Sequence, residues 1–249
     1  NTFFIWGVVF LILVTGAAQF YSNPPKGWLP VGFTPKAGAG TSDAESYTFA
    51  TALKTRQWYI LWLMLFLNIS AGIGLISQLS PMAQDVLKRS FADVDAIKLA
   101  AMGGTILAIA SIFNGLGRLF WAWVSDGIGR KMVFTIMFIT QAVLYVLLPS
   151  VASYILFAIM ACYMLACYGG GFATMPAFAA DTFGPKFIGR IYGTMLTAWG
   201  AAGVIGPLVF ARIKEMTGTF RGALFFAAAL LIIGFLLSVT YKKPKARTA

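Results

Sequence analysis

Histidine is absent from the 249 residues, and cysteine occurs only twice, as Cys162 and Cys167 in one apolar stretch. The first absence removes His-based acid–base catalysis and the usual zinc ligand sets, and the second leaves no disulfide framework. Charge is scarce as well, at 11% of residues, against about 25% in a soluble domain. Hydrophobic residues make up 59%, and mean hydropathy is +0.80. A water-soluble fold is excluded, and an all-α integral membrane protein is expected.

All eight acids lie in connections or at the ends of apolar runs. An intramembrane protease would need a Ser/His pair, a zinc motif or two carboxylates within helices, so no enzyme is expected, and no metal or cofactor. A retinal protein would need a buried lysine, and no run contains one; a receptor stays open. The net charge of +11 would suggest nucleic acid in a soluble protein. Here the basic residues sit between apolar stretches, which reads as topology, with a lipid bilayer and no nucleic acid as partner.

A membrane helix needs about 20 mostly apolar residues. Seven such runs are present, near 3–20, 58–79, 99–123, 131–150, 153–178, 190–211 and 221–241. A long polar connection follows the first run, and the later connections are short. The expected organisation is a transmembrane helix at 1–20, a central cytoplasmic linker at 21–57, a six-helix bundle at 58–241 and a basic cytoplasmic tail at 242–249. With the first run entering from outside, twelve Lys and Arg fall on inner segments and six on outer ones, with Arg118 apart. The positive-inside rule then places the C-terminus in the cytoplasm. The chain opens on Asn1 inside an apolar segment and is expected to be a fragment. One helix, a long loop and six helices have the shape of half of a transporter built from two repeated bundles.

Ala122 to Lys131 reads AWVSDGIGRK at a short inner connection. A small residue, an aspartate four later and then Gly-Arg-Lys resemble the cytoplasmic loop motif of the major facilitator superfamily. Asp126 is suited to pair with Arg130, and Gly129 to permit the turn, so Asp126, Gly129, Arg130 and Lys131 are expected to form a latch. A solvated loop is the simpler alternative. Ala122 and Gly127 stand where that motif carries glycine and a basic residue.

Tyr168 to Gly184 (YGGGFATMPAFAADTFG), Ile191-Tyr192-Gly193, Asn23 to Trp28 (NPPKGW) and Asn68 to Gly72 (NISAG) are similar to the oxalate/formate antiporter family within that superfamily. The resemblance covers nearly the whole chain. It implies helices six to twelve of a parent with its first five missing, located in a bacterial-type inner membrane. The three glycines and Pro176 loosen their helix and are expected to bend it around a cavity, with close packing as the alternative. Gly200, Gly203, Gly206 and Pro207 lean towards packing plus a kink.

Arg118 lies eight residues before Asp126, hence about 12 Å deep in a hydrocarbon core about 30 Å thick. A cation at that depth usually faces a pathway, and no intramembrane acid is present to pair with it. An anionic substrate is the natural partner; snorkelling, or pairing with an N-terminal half, are the alternatives. The resemblance implies a substrate-binding arginine at this position and a lysine where Trp199 stands. With one cation instead of two, a monocarboxylate such as formate, lactate or pyruvate is favoured over oxalate. Tyr168, Phe172 and Trp199 are expected to wall the site, and Asn114, one turn before Arg118, to bond the same ligand. Asn68, Ser70 and Gln78 are weaker candidates. Trp58, Trp62, Tyr145 and Tyr154 read as interfacial belt residues.

Overall fold

The computed structural model describes residues 2–22, 25, 28, 46–90 and 95–244. Most of the Asn23–Trp28 motif, the glycine-rich stretch of the linker and residues 245–249 of the tail lie outside the described residues. The chain divides into two units, Asn1–Ala39 and Gly40–Ala249.

The first unit holds α1, Thr2–Ala18, whose 17 residues are apolar on every side and nowhere buried. At 1.5 Å per residue it is about 25 Å long, somewhat short of a full span.

In the second unit, a short α2 (Phe49–Leu53) precedes α3 (Arg56–Ser90), α4 (Ala96–Ile128), α5 (Arg130–Leu147), α6 (Tyr154–Phe183), α7 (Ile188–Met195), α8 (Thr197–Thr217) and α9 (Arg221–Thr240). With α7 and α8 taken as one span, six helices are long and apolar enough to cross a membrane. They outrun the apolar stretches, because amphipathic end turns such as Met82 to Arg89 continue the helix beyond the hydropathic window. The expected linker at 21–57 also changes character partway. From Ser46 onward it is folded on the bundle end, where the Tyr47 N–H donates to the Phe183 carbonyl at 2.8 Å.

The helices pack mainly as α4 on α6, α3 on α8 and α5 on α9. Lipid tails are as apolar as leucine, so close approach rather than burial from water must hold the pairs. Gly117 of α4 lies against the Ala166 backbone, and Gly169 of α6 against the Asn114 backbone. Gly170 faces the Trp121 ring and Gly171 the Asn68 amide. The three consecutive glycines therefore serve packing, and α6 stays helical from Tyr154 through Pro176 to Phe183. The expected bend around a cavity is not needed to explain them.

Some of the polar groups inside the bundle find internal partners. The Gln141 Nε2 donates to Asn68 Oδ1 at 3.1 Å, both side chains being buried. Tyr145, expected at the interface, is fully buried and donates its hydroxyl to the Ala71 carbonyl at 2.8 Å. Trp58 is likewise buried. An apolar environment leaves the Tyr145 hydroxyl one favourable position, against a backbone oxygen.

Candidate functional site

Three helices bring the sequence candidates together. Arg118 comes from α4, Tyr168 and Phe172 from successive turns of α6, and Trp199 from the first turn of α8. The Arg118 Cζ stands 5.3 Å from the Phe172 ring centroid. Phe172 and Trp199 meet edge-on, with centroids 6.0 Å apart and planes at 67°. Tyr168 lies close to both Arg118 and Trp199. Its ring is seated against Gly72 of α3, which has no side chain to exclude it.

Arg118 has no carboxylate partner among the described residues. It is exposed on the bundle surface, as is Trp199, while Phe172 is half-buried and Tyr168 buried. Since α4 continues to Ile128, Arg118 stands about 15 Å from that end, deep in the span. The arrangement is a guanidinium laid along an aromatic wall. Its forked N–H donors suit a planar carboxylate, and the rings lower the local dielectric in which the pair would form.

A break in the fifth of the six membrane-capable spans lies beside this wall. Leu196 separates α7 from α8, and the chain tightens there, with the Trp199 N–H bonded to the Leu196 carbonyl at 3.0 Å. Trp62 of α3 steadies the break by donating to the Thr197 hydroxyl at 2.9 Å.

Asn114, expected to bond the same ligand, and the weaker candidates Asn68, Ser70 and Gln78 are not brought to the wall. The Asn114 side-chain oxygen is buried against Gly169 without a partner, turned into the α4–α6 contact. Asn68 is bonded to Gln141 inside the bundle, and Ser70 is buried where α3 meets Gly206 of α8. Gln78 is half-buried on α3, three turns beyond the level at which Asn68 sits.

At the far end of α4 the residues expected to form a latch make a connected group. Gly129, with φ +88° and ψ 148°, is the single residue between α4 and α5, a conformation open essentially to glycine alone. Arg130 pairs with Asp126 at 2.6 Å, lies 3.4 Å from Asp181 and bonds the Ser125 hydroxyl. Lys131 donates to the Tyr241 carbonyl at 3.0 Å. Nothing in the sequence singles out Asp181, although it lies within the Tyr168–Gly184 motif; only folding brings the last turn of α6 beside Arg130. Tyr241 also reaches α6. The Thr182 hydroxyl gives its proton to the Phe178 carbonyl, so Tyr241 is the donor in the 2.7 Å bond between the two hydroxyls. Burial pushes the Tyr241 phenol up to about 12, with the neighbouring Asp181 adding to the shift.

Fold and site define a polytopic helical membrane protein with an arginine within a span, unpaired by any described acid and set along aromatics. A profile of the Major Facilitator Superfamily matches residues 99–249. The Oxalate:formate antiporter of Oxalobacter formigenes is 30% identical over 204 residues, covering 81% of this chain and 46% of that protein. Apicoplast pyruvate carrier 1 of Toxoplasma gondii is 28% identical over 171 residues, 68% of this chain and 30% of that protein. Multidrug resistance protein MdtG of Proteus mirabilis (strain HI4320) is 27% identical over 183 residues, 74% and 44% respectively. The chain belongs to the major facilitator superfamily and, within it, is similar to the oxalate/formate antiporter. It spans about half the length of the curated relatives it matches.

Proposed function

We propose that this chain supplies the C-terminal bundle, and the helix before it, of a secondary transporter for small organic carboxylates. The observation that carries this reading is the Arg118–Phe172–Trp199 cluster. A cation held at that depth without an acid partner among the described residues needs an anion or water to remain there. One guanidinium clamps one carboxylate through two N–H donors, and the aromatic wall takes the place of solvent around it.

The position matching the family's second cation is occupied by Trp199, which favours formate-, lactate- or pyruvate-type monocarboxylates over oxalate. A relative named as a pyruvate carrier is in keeping with this preference. The second reading, oxalate/formate exchange, draws on the name of the Oxalobacter relative. It requires a second cation from the opposing bundle.

Alternating access requires two bundles rocking around a shared midplane site. Ile112, Leu116, Leu119, Phe120 and Trp123 are large and exposed on α4 on either side of Arg118, and such a face suits an N-terminal bundle as partner. The chain on its own would then be inactive. Asp126, Gly129, Arg130 and Lys131, joined by Asp181, are assigned to the latch at the cytoplasmic end, with the C-terminus on the same side of an inner membrane.

Counterflow in proteoliposomes, with an N-terminal bundle supplied, tests the reading. Uptake of labelled formate, lactate or pyruvate, lost in Arg118→Ala, is expected. Exchange of oxalate with no monocarboxylate uptake overturns the substrate preference, and wild-type transport by Arg118→Ala overturns the site.

A further inference from the structure

A cavity of about 270 Å³ opens at the end of the bundle opposite Gly129. Its floor is apolar, made by Met82, Val86, Leu148, Phe157 and Leu224, all buried. Its charged lining consists of Asp85 and Arg89 from the last turns of α3, Lys214 near the end of α8, and Arg221 opening α9. Asp85 is already engaged, with its Oδ2 3.0 Å from the Lys214 Nζ. Lys214 also lies over the Phe220 ring, 4.2 Å from its centroid. Among the described residues of the lining, three cations against one acid leave two positive charges in excess. Neither Arg89 nor Arg221 has a carboxylate partner among the described residues.

Other features point to the same ligand class. The 20-residue α9 starts at this cavity, and its N-cap, Phe220, contributes no side-chain acceptor to the first free N–H groups. Those groups add to the positive potential set by the arginines. The lining comes from the ends of five spans, so the cavity sits at headgroup depth and not in the hydrocarbon core. A planar carboxylate offers two oxygens along one edge. A tetrahedral phosphate directs oxygens to cations arriving from separate helices, which is how Arg89, Lys214 and Arg221 are placed.

We propose that this cavity is a phosphate-binding site separate from the Arg118 site, and that the phosphate available at its depth is that of an anionic phospholipid. The apolar floor accepts the glycerol and upper acyl carbons, while Arg89 and Arg221 hold the phosphate. The lipid would tie the ends of α3, α8 and α9 together without entering the transport path.

The test is binding to the purified chain in a maltoside detergent, read by native mass spectrometry and by thermal unfolding. The probes are dioleoyl-phosphatidylglycerol, zwitterionic dioleoyl-phosphatidylcholine and inorganic phosphate. Phosphatidylglycerol is expected to bind and raise the melting temperature, and phosphatidylcholine to do so less. The double variant Arg89→Gln/Arg221→Gln should weaken phosphatidylglycerol about thirtyfold, or roughly fivefold per arginine. Displacement of the lipid by millimolar inorganic phosphate supports recognition of the phosphate itself, and lipid binding that resists phosphate supports the lipid as its source. Phosphate binding with no lipid binding overturns the lipid assignment. Equal phosphatidylglycerol affinity in wild type and double variant overturns the site. Should the double variant fail to fold, Arg89→Gln and Arg221→Gln are measured singly, and an unchanged affinity in both has the same meaning.

Discussion

The guanidinium carbon of Arg118 stands 5.3 Å above the ring of Phe172, so the cation of α4 is laid against α6 rather than directed to a carboxylate of the described residues. The face of an aromatic ring attracts a cation without neutralising it. Arg118 thereby keeps its donors free for an anion while its position is held.

Arg118→Ala is expected to abolish substrate binding, and Arg118→Lys to restore little, because an ammonium cannot form the two-pronged contact. Phe172→Leu keeps a similar bulk and removes the ring face. It should weaken binding by about fivefold, corresponding to roughly 1 kcal/mol of cation–π attraction. Isothermal titration with formate or lactate, in the presence of both bundles, measures each.

Trp199→Lys restores a second cation next to the same wall. Its edge-on partner Phe172 remains, so the site should shift its preference towards oxalate at the expense of monocarboxylates. Competition of unlabelled oxalate against labelled formate reads this change, and an unaltered preference would remove Trp199 from the specificity argument.

Gly169→Ala places a methyl group against the Asn114 backbone, and Gly170→Ala one against the Trp121 ring. Each should destabilise the bundle by roughly 1–3 kcal/mol, as overpacking does. Gly104→Ala, with open space around it, should cost nothing measurable. Thermal unfolding of the three variants in one detergent makes the comparison.

The ion pairs of Arg130 are expected to be weak one by one. Asp126 and Asp181 are 67% and 57% exposed, so Asp126→Asn and Asp181→Asn should each cost roughly 0.2–1 kcal/mol. Because both carboxylates share Arg130, their effects should couple in a double-mutant cycle followed by thermal unfolding.

Tyr241 makes the packing of the chain end sensitive to alkali. Its folded-state value, about 12, lies above the value near 10 of an unfolded tyrosine. Its contribution is therefore complete below about pH 10 and lost as pH rises towards about 12. Tyr241→Phe should flatten the stability profile over that window, which melting curves from about pH 9 to 12 would reveal.

Much of this was legible in one dimension. Six apolar runs correspond to six membrane-capable helices, and the spacing of Arg118 from Asp126 along α4 is read directly from the sequence. The pairing of Asp126 with Arg130 is a property of residues four apart on one surface. Asp181, by contrast, is 51 residues from Arg130, and no local pattern connects them. The burial of Tyr145 was equally hidden, since a tyrosine near the end of an apolar run has the same hydropathy whether it faces lipid, headgroups or another helix.

Composition and the lengths of apolar runs determined that the chain crosses a membrane repeatedly, because unpaired backbone groups are intolerable in hydrocarbon and helices alone satisfy them within a segment. They also set how far Arg118 lies from the Gly129 end of α4. Which way each helix is rotated was decided only by the tertiary structure. In lipid no water drives a particular apolar face inward, so side chains on opposite faces differ little in polarity and the sequence carries little rotational signal. Rotation is settled by fit: Gly117 and Gly169 let α4 and α6 touch backbone to backbone, and that contact is what lays Arg118 against Phe172.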